Sequence, residues 1–226
     1  MAYTTLPTKS TNDLFTLGDY NAVKNNFEAG VPDIFSAKGD LAVGVEPNAA
    51  ARLAVGSNNS ILITDSYETT GLAWQITPGV RAYNSSNGDP AKSTWVTLGY
   101  DSERVDTEGM HSTTTSIWRL VVPSGGDGLY LIGGTVTFDT SGASAGGSHK
   151  GVRIMLNNTT PIATHLVGII HGSFDSSLSI QTLYELAAGD TVSLQVYTNT
   201  DVDVVAASNY SPEFWAVWQR RSRRYL

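Results

Sequence analysis

Between residues 95 and 219, apolar and polar positions alternate with a period of two. Tyr130, Ile132, Val136 and Phe138 alternate with Leu131, Gly133, Thr135 and Thr137. Val152, Ile154 and Leu156 alternate with Arg153, Met155 and Asn157, and Val192, Leu194 and Val196 with Ser193, Gln195 and Tyr197. A strand sends successive side chains to opposite faces, so each run predicts a strand with one buried face. At 214–218, Phe214, Ala216 and Trp218 share one face while Trp215 and Val217 share the other. A strand apolar on both faces lies inside a sandwich or between subunits. Turn formers separate the runs: PSGGDG at 123–128, Asn157-Asn158, and Ala188-Gly189-Asp190. Many short strands with no helical period among them predict a sandwich or jelly roll.

The period changes at 16–30, TLGDYNAVKNNFEAG. Thr16 and Asp19 have the spacing of a capping box. Leu17, Tyr20, Val23 and Phe27 fall on one helical face. Gly30 provides a left-handed stop and Pro32 forbids continuation. A helix this short is marginal alone, so its stripe must dock, and a partner subunit or particle is the expected dock.

Between these regions a phrase recurs. Leu-Ala-Val-Gly stands at 41–44 and again at 53–56, and Ile61-Leu62-Ile63 follows the turn Ser57-Asn58-Asn59. At about 0.8 kcal/mol per buried CH₂, an Ala-Val pair cannot offset the ordering of such a unit. Other chains would have to complete it, and closed homo-oligomers supply them most often. Leu41, Val43, Leu53 and Val55 are therefore the candidate contacts of a threefold stalk. Residues 78–94, PGVRAYNSSNGDPAKST, lack apolar periodicity and predict a linker. The expected organisation is an arm with the helix at 1–37, a stalk at 38–77, a linker at 78–93, a β head at 94–219 and a basic tail at 220–226.

Charge and composition narrow the function. The 226 residues carry a net charge of −7 and no cysteine, which excludes disulfides, thiolate metal sites and a cysteine nucleophile. Four of the 14 basic residues lie in the last seven, leaving ten basic against 21 acidic groups, net −11, before residue 220. An acidic body repels nucleic acid. The N-terminus lacks the basic start and apolar run of a secretory signal, and nothing is long enough to span a membrane. The sequons at Asn58, Asn84, Asn157, Asn158 and Asn209 then reflect turn-rich composition.

Two resemblances follow from particular phrases. WVTLGYDSERVDTEGMHS, VPSGGDGLYLIGGTVTF, GVRIMLNN, LYELAAGDTVSLQVYTNT and SPEFWAVW together resemble the tumour-necrosis-factor-like jelly roll shared with complement globular heads. The most specific pieces are residues 123–138 and Leu186-x-x-Gly189-Asp190-x-Val192-x-Leu194. The resemblance implies a ten-stranded jelly roll over about 94–219 that forms compact threefold trimers. KGDL at 38–41, RLAVGS at 52–57 and TGLAW at 70–74, with TNDLFTLGDYNAVKNNFEAG at 11–30, resemble the entry segments of bacteriophage tail fibres and virion spikes. Both resemblances imply three chains, which the short repeats also require.

The chemistry-bearing motifs are sparse. Gly142-Ala143-Ser144-Ala145-Gly146 fits G-x-S-x-G, but glycine and serine surround it and no helix pattern follows, so a loop is expected. His111, His149, His165 and His171 are scattered without metal-ligand spacing. Asp101, Glu103, Asp106 and Glu108 form an acidic run without the glycine and spacing of a calcium loop. Trp118, Trp215 and Trp218 are expected in strands. Trp74 and Trp95 flank the linker, where packing at the domain junction is expected over sugar stacking. Catalytic, metal and cofactor sites are expected to be absent, and the protein to be a non-enzyme.

These readings combine into a mainly β, trimeric virion protein at the particle surface, assembled in the host bacterial cytoplasm as a tail fibre, spike or capsid decoration. Leu17, Tyr20, Val23 and Phe27 would anchor it to other virion proteins of capsid or tail. Tyr130, Ile132, Phe138, Leu194, Tyr197, Phe214, Trp215 and Trp218 would form the head core or trimer interface. The outward head would meet a host-surface glycan or receptor. The competing readings are a freestanding trimeric lectin-like protein and a glycan hydrolase, whose carboxylate pair meets in space and not in sequence.

Overall fold

The computed structural model describes residues 14, 16–28, 34–47, 49–139, 149–168, 175–206 and 212–221. The chain divides into two compact units, Met1–Gln75 and Ile76–Leu226.

The first unit opens with helix α1 (Leu17–Glu28). Its capping box forms as the spacing predicts. The Thr16 N–H donates to Asp19 Oδ2 at 2.7 Å, and the Asp19 N–H donates to Thr16 Oγ1 at 3.2 Å. Leu17, Tyr20 and Val23 remain 74%, 54% and 42% exposed, so the apolar stripe is uncovered. The side chain of Phe27, with Gly30 and Pro32, lies outside the described residues.

Two hairpins follow. Strand β1 (Leu41–Glu46) pairs antiparallel with β2 (Ala49–Leu53), and β3 (Ile61–Thr64) with β4 (Leu72–Gln75). The repeated phrase thus folds back on itself, with Leu41 opposite Leu53 and Val43 opposite Ala51. Leu41, Val43 and Leu53 are half-buried and Val55 is exposed, so the hairpin has no core of its own.

Hydrogen bonds set its shape instead. Asp40 accepts from the N–H groups of Ser36 at 2.9 Å, Ala37 at 2.8 Å and Val55 at 3.1 Å, and from Arg52 Nη1 at 3.3 Å. One carboxylate therefore binds the entry turn to the far end of β2. Trp74 lies over Gly56 and donates from Nε1 to the Ala54 carbonyl at 2.8 Å.

Among its described residues the second unit holds ten strands: β5 (Gly79–Tyr83), β6 (Thr94–Thr97), β7 (Ser102–Asp106), β8 (Leu120–Val121), β9 (Gly128–Phe138), β10 (His149–Leu156), β11 (Thr160–Gly168), β12 (Ser176–Leu186), β13 (Thr191–Thr198) and β14 (Glu213–Arg220). One antiparallel sheet runs β12-β9-β14-β5-β7; the other runs β11-β10-β13-β6, with β8 also on β13. The expected mainly β sandwich of two antiparallel sheets is what forms.

The inward positions are those that the period of two selects. Tyr130, Ile132, Phe138, Phe214 and Trp218 from the first sheet meet Val152, Ile154, Leu194 and Val196 from the second, all buried. The turn phrases form turns. Asn157 and Asn158 both have positive φ, 49° and 56°, as the central residues of the tight turn that the Thr159 N–H closes on the Leu156 carbonyl at 3.0 Å. In PSGGDGLY, the Gly126 N–H donates to the Pro123 carbonyl at 3.0 Å, and the buried Tyr130 hydroxyl donates to the Gly126 carbonyl at 2.7 Å.

Two expectations are corrected. The linker placed at 78–93 begins with β5, which lies between β14 and β7 and buries Val80 and Ala82. Its sequence signal is weak because only Val80 and Ala82 of its five residues face inward, too short a run to stand out beside the Asn, Ser, Gly and Pro that follow. Trp118 lies in a turn before β8 rather than in a strand.

Two outcomes test this packing. A Cβ on Gly134 would sit 2.7 Å from Leu194 Cδ2 and 2.8 Å from the Glu213 carbonyl oxygen. Gly134→Ala should lower denaturant stability by about 1–3 kcal/mol, and Leu194→Ala in the same chain should cost less than it does alone. The N–H group of Ser36, above all, holds the Asp40 carboxyl below its ordinary pKa; desolvation opposes this, and Ala37, Val55 and Arg52 reinforce it. Its stabilising effect is therefore complete above about pH 4 and is lost as pH falls through the lowered value. Asp40→Asn should accelerate hydrogen exchange at the Val55 amide at neutral pH and leave the sandwich amides unchanged.

Candidate functional site

The outer face of the first sheet is organised in rows, because directly opposed residues project from the same side. One row is apolar: Leu183, Leu131 and Val217 on β12, β9 and β14. The next is mixed: Gln181, Gly133, Trp215, Arg81 and Val105. The third is polar: Ser179, Thr135, Glu213 and Tyr83.

Leu183, Val105 and Val217 are 57%, 51% and 43% exposed. Trp215 lies flat across β9 because Gly133 has no side chain; a Cβ there would fall 2.4 Å from Trp215 Cζ2. Beside it opens a cavity of about 550 Å³ lined by Thr77, Arg81, Val105, Thr107, Trp215 and Val217. The face thus offers an apolar strip and an adjoining hollow.

At its polar margin, Glu213 is buried and takes two arginines. Arg81 Nε donates to Oε2 at 2.7 Å with Nη2 on the same oxygen, and Arg104 Nε donates to Oε1 at 2.5 Å. The Arg104 guanidinium also lies 4.3 Å above the Tyr83 ring. This clamp joins β14, β5 and β7 and sets the edge of the apolar strip.

The candidate head residues separate by face. Tyr130, Ile132, Phe138, Leu194, Phe214 and Trp218 are core, whereas Trp215 belongs to the outer face of the first sheet. Tyr197 lies on the outer face of the second sheet, its ring 5.5 Å from that of Trp95. Trp95 therefore stands beside Tyr197 on that outer face, where β6 places it, rather than in the junction packing expected for it. Leu131 and Leu183 were not singled out in the sequence. Their signal was a large apolar residue on the otherwise polar face of two neighbouring strands.

The acidic run does not converge on a ligand. Asp101 accepts from the Ser85 N–H at 2.9 Å and hydroxyl at 2.6 Å. Glu103 faces His111 Nδ1 at 2.9 Å, and Asp106 accepts from the N–H groups of Met110 at 2.9 Å and His111 at 2.8 Å. His165 Nδ1 meets the Ser179 carbonyl at 3.1 Å, and the His149 N–H donates to Asn199 Oδ1 at 2.6 Å. No group of three His, Asp or Glu residues among those described is placed to hold a metal. His171 and the segment 142–146 lie outside the described residues. Lys150 is buried above the Phe138 ring at 5.3 Å with no hydrogen-bond partner for Nζ. Burial lowers its pKa, against the opposing charges of Asp139 and Asp175.

No protein-family model and no curated protein matches the chain. Among solved structures it is similar to murine APRIL. The pH 5.0 crystal structure has a TM-score of 0.46 and 10% identity, covering 63% of this chain and 99% of that one. The pH 8.0 structure gives 0.45 and 12% over the same shares, and the pH 8.5 structure 0.44 and 11%.

The clamp can be tested directly. Glu213→Gln removes the charge that both arginines face while keeping the shape. It should cost about 1–3 kcal/mol in urea unfolding, with a smaller loss in a chain that already carries Arg104→Met.

Proposed function

We propose that the protein is a structural component of a bacteriophage virion, a homotrimeric surface fibre, spike or capsid decoration. The observation that carries this is the row Leu183, Leu131 and Val217 beside Trp215, apolar on the outer face of a sheet whose inner face is already core. Three copies about one axis would bury it, at about 1.5–3 kcal/mol for each large side chain fully removed from water. The TNF-like jelly roll is suited to that arrangement, and the half-buried β1–β2 hairpin would gain a core from the same three chains.

The N-terminal phrases support the particle setting. KGDL and RLAVGS, which resemble fibre entry segments, are tied together by Asp40, which accepts from Arg52 and from the Val55 N–H. Ahead of it, α1 presents Leu17, Tyr20 and Val23 for docking on another virion protein. The role is non-catalytic: the head holds on by shape and by avidity from three equal copies.

Sedimentation equilibrium of the full chain should return three times the 24.1 kDa chain mass. Leu183→Asp should return the single-chain mass with an unchanged far-ultraviolet spectrum. A single-chain mass for the unaltered protein overturns the proposal. Removing residues 1–37 should leave the trimer mass of the remainder intact and abolish incorporation into particles.

A further inference from the structure

The outer face of the second sheet carries two transverse rows of a different character. One runs Leu166, Gly151, Tyr197 and Trp95 over β11, β10, β13 and β6; the next runs Thr164, Arg153, Gln195 and Thr97. Both face away from the core, since the alternating Val152, Ile154, Leu194 and Val196 are fully buried.

The first row is apolar with a gap at its centre. A Cβ on Gly151 would lie 2.5 Å from Leu166 Cδ2 and 3.0 Å from Trp95 Cη2, so both side chains lean over bare backbone. The Trp95 and Tyr197 rings stand 5.5 Å apart, tilted by 46°. Leu166 is 59% exposed.

The second row is polar and held in place. Arg153 Nε donates to Gln195 Oε1 at 2.7 Å, and Gln195 Nε2 donates to Thr97 Oγ1 at 2.9 Å. The Arg153 guanidinium carbon also lies 4.3 Å from the Trp95 ring centroid. This arginine is thus fixed by one hydrogen bond and one aromatic face, yet its terminal amino groups meet no carboxylate among the described residues. Four other arginines are paired, Arg52 with Asp40, Arg81 and Arg104 with Glu213, and Arg220 with Glu185, whereas Arg119, beside the Trp118 ring, shares with Arg153 the lack of an ion pair among the described residues. Within a body of net charge −11 before residue 220, a cation has been positioned and left without its acid. Desolvation lowers the Arg153 pKa, so an arriving anion gains more there than at a solvated arginine.

We propose that these rows form a binding platform for an acidic saccharide. Arg153 takes a hexuronate carboxylate in a two-pronged fork, as a planar guanidinium does best. Tyr197, Trp95 and Leu166 meet the C–H face of the same sugar ring, and Thr164 and Thr97, three strand spacings apart, meet hydroxyls of the neighbouring sugars in the chain. The ring's apolar face beside a ring carboxylate matches the apolar row beside the polar one. The platform supplies a site for the surface-binding part of the function proposed above, and rests on that reading only for its biological setting.

Isothermal titration of the full chain with tri-galacturonate tests the platform, with its methyl ester, triglutamate and inorganic phosphate as separate arms. The acidic trisaccharide should bind, with the ester weaker by about tenfold or more. Arg153→Gln should remove binding. Arg153→Lys, which keeps the charge and loses the fork, should weaken it by about tenfold. Trp95→Phe, a substitution that keeps an aromatic on β6, should weaken it without changing thermal stability. The proposal is overturned if tri-galacturonate fails to bind or its ester binds equally. It is also overturned if both Arg153 variants bind like the unaltered chain, or if triglutamate or phosphate binds in place of the sugar. Sedimentation of the same samples keeps the two proposals apart: a single-chain protein that binds refutes the trimer alone, and a trimer that does not bind refutes the platform alone.

Discussion

Strand β9 lacks a side chain on each of its faces at mid-span, and the sandwich closes through those two gaps. Gly134 points inward, where Leu194 from the opposite sheet fills the space a Cβ would take. Gly133 points outward, where Trp215 of the neighbouring strand lies across it. A glycine inside a strand costs roughly 0.5–1 kcal/mol in chain entropy relative to alanine, so two in succession weaken β9 locally. What offsets this is contact: the two sheets approach closely enough to exclude voids, and the tryptophan is held flat against the strand rather than free in solvent. Core and outer face are built from one dipeptide.

That arrangement explains why the outer face of the first sheet is so unlike an ordinary solvated surface. With Trp215 lying flat, the sheet presents the low ridge of Leu183, Leu131 and Val217 and the hollow beside Val105. The Glu213 clamp with Arg81 and Arg104 closes the polar side of the same strands. An ion pair of this burial contributes little net stability in place of apolar packing, but breaking it strands two charges. Its value here is positional, because it holds β5 and the edge strand β7 against β14.

Much of this architecture was legible in the chain, and the reason is local. The alternation of Tyr130, Ile132 and Phe138, or of Val192, Leu194 and Val196, is a direct consequence of strand geometry. Asn157-Asn158, PSGGDG and Ala188-Gly189-Asp190 are turns whose conformations those residues favour. The capping box of Thr16 and Asp19 was legible for the same reason. Strand β5 was not, because its place between β14 and β7 depends on partners more than a hundred residues away in one case. Leu131 and Leu183 were equally hidden: each looks like a stray apolar residue until the register of β9 and β12 sets them side by side. The acidic run already lacked the glycine and spacing of a calcium loop, but its actual partners were hidden, since Asp101, Glu103 and Asp106 bond backbone amides and a histidine that no spacing rule predicts.

A common device joins the two outer faces. On the first sheet Trp215 lies over Gly133; on the second, Trp95 and Leu166 lean over Gly151; in the N-terminal unit Trp74 lies over Gly56. In each case an indole takes space that any other residue would deny it, and in each case the tryptophan is outside the main core. Turn propensity does not explain Gly133 and Gly151, because both stand inside paired strands. A strand glycine opposite a tryptophan is therefore a signal of its own: it marks where an aromatic surface has been laid flat and made available. Two such surfaces on opposite sheets of one sandwich have separate demands. An apolar ridge suits contact with identical copies, while an aromatic row beside an unpaired arginine suits a ligand that carries its own charge. The sandwich keeps the two apart by the thickness of the core, so each can serve a different partner at the same time.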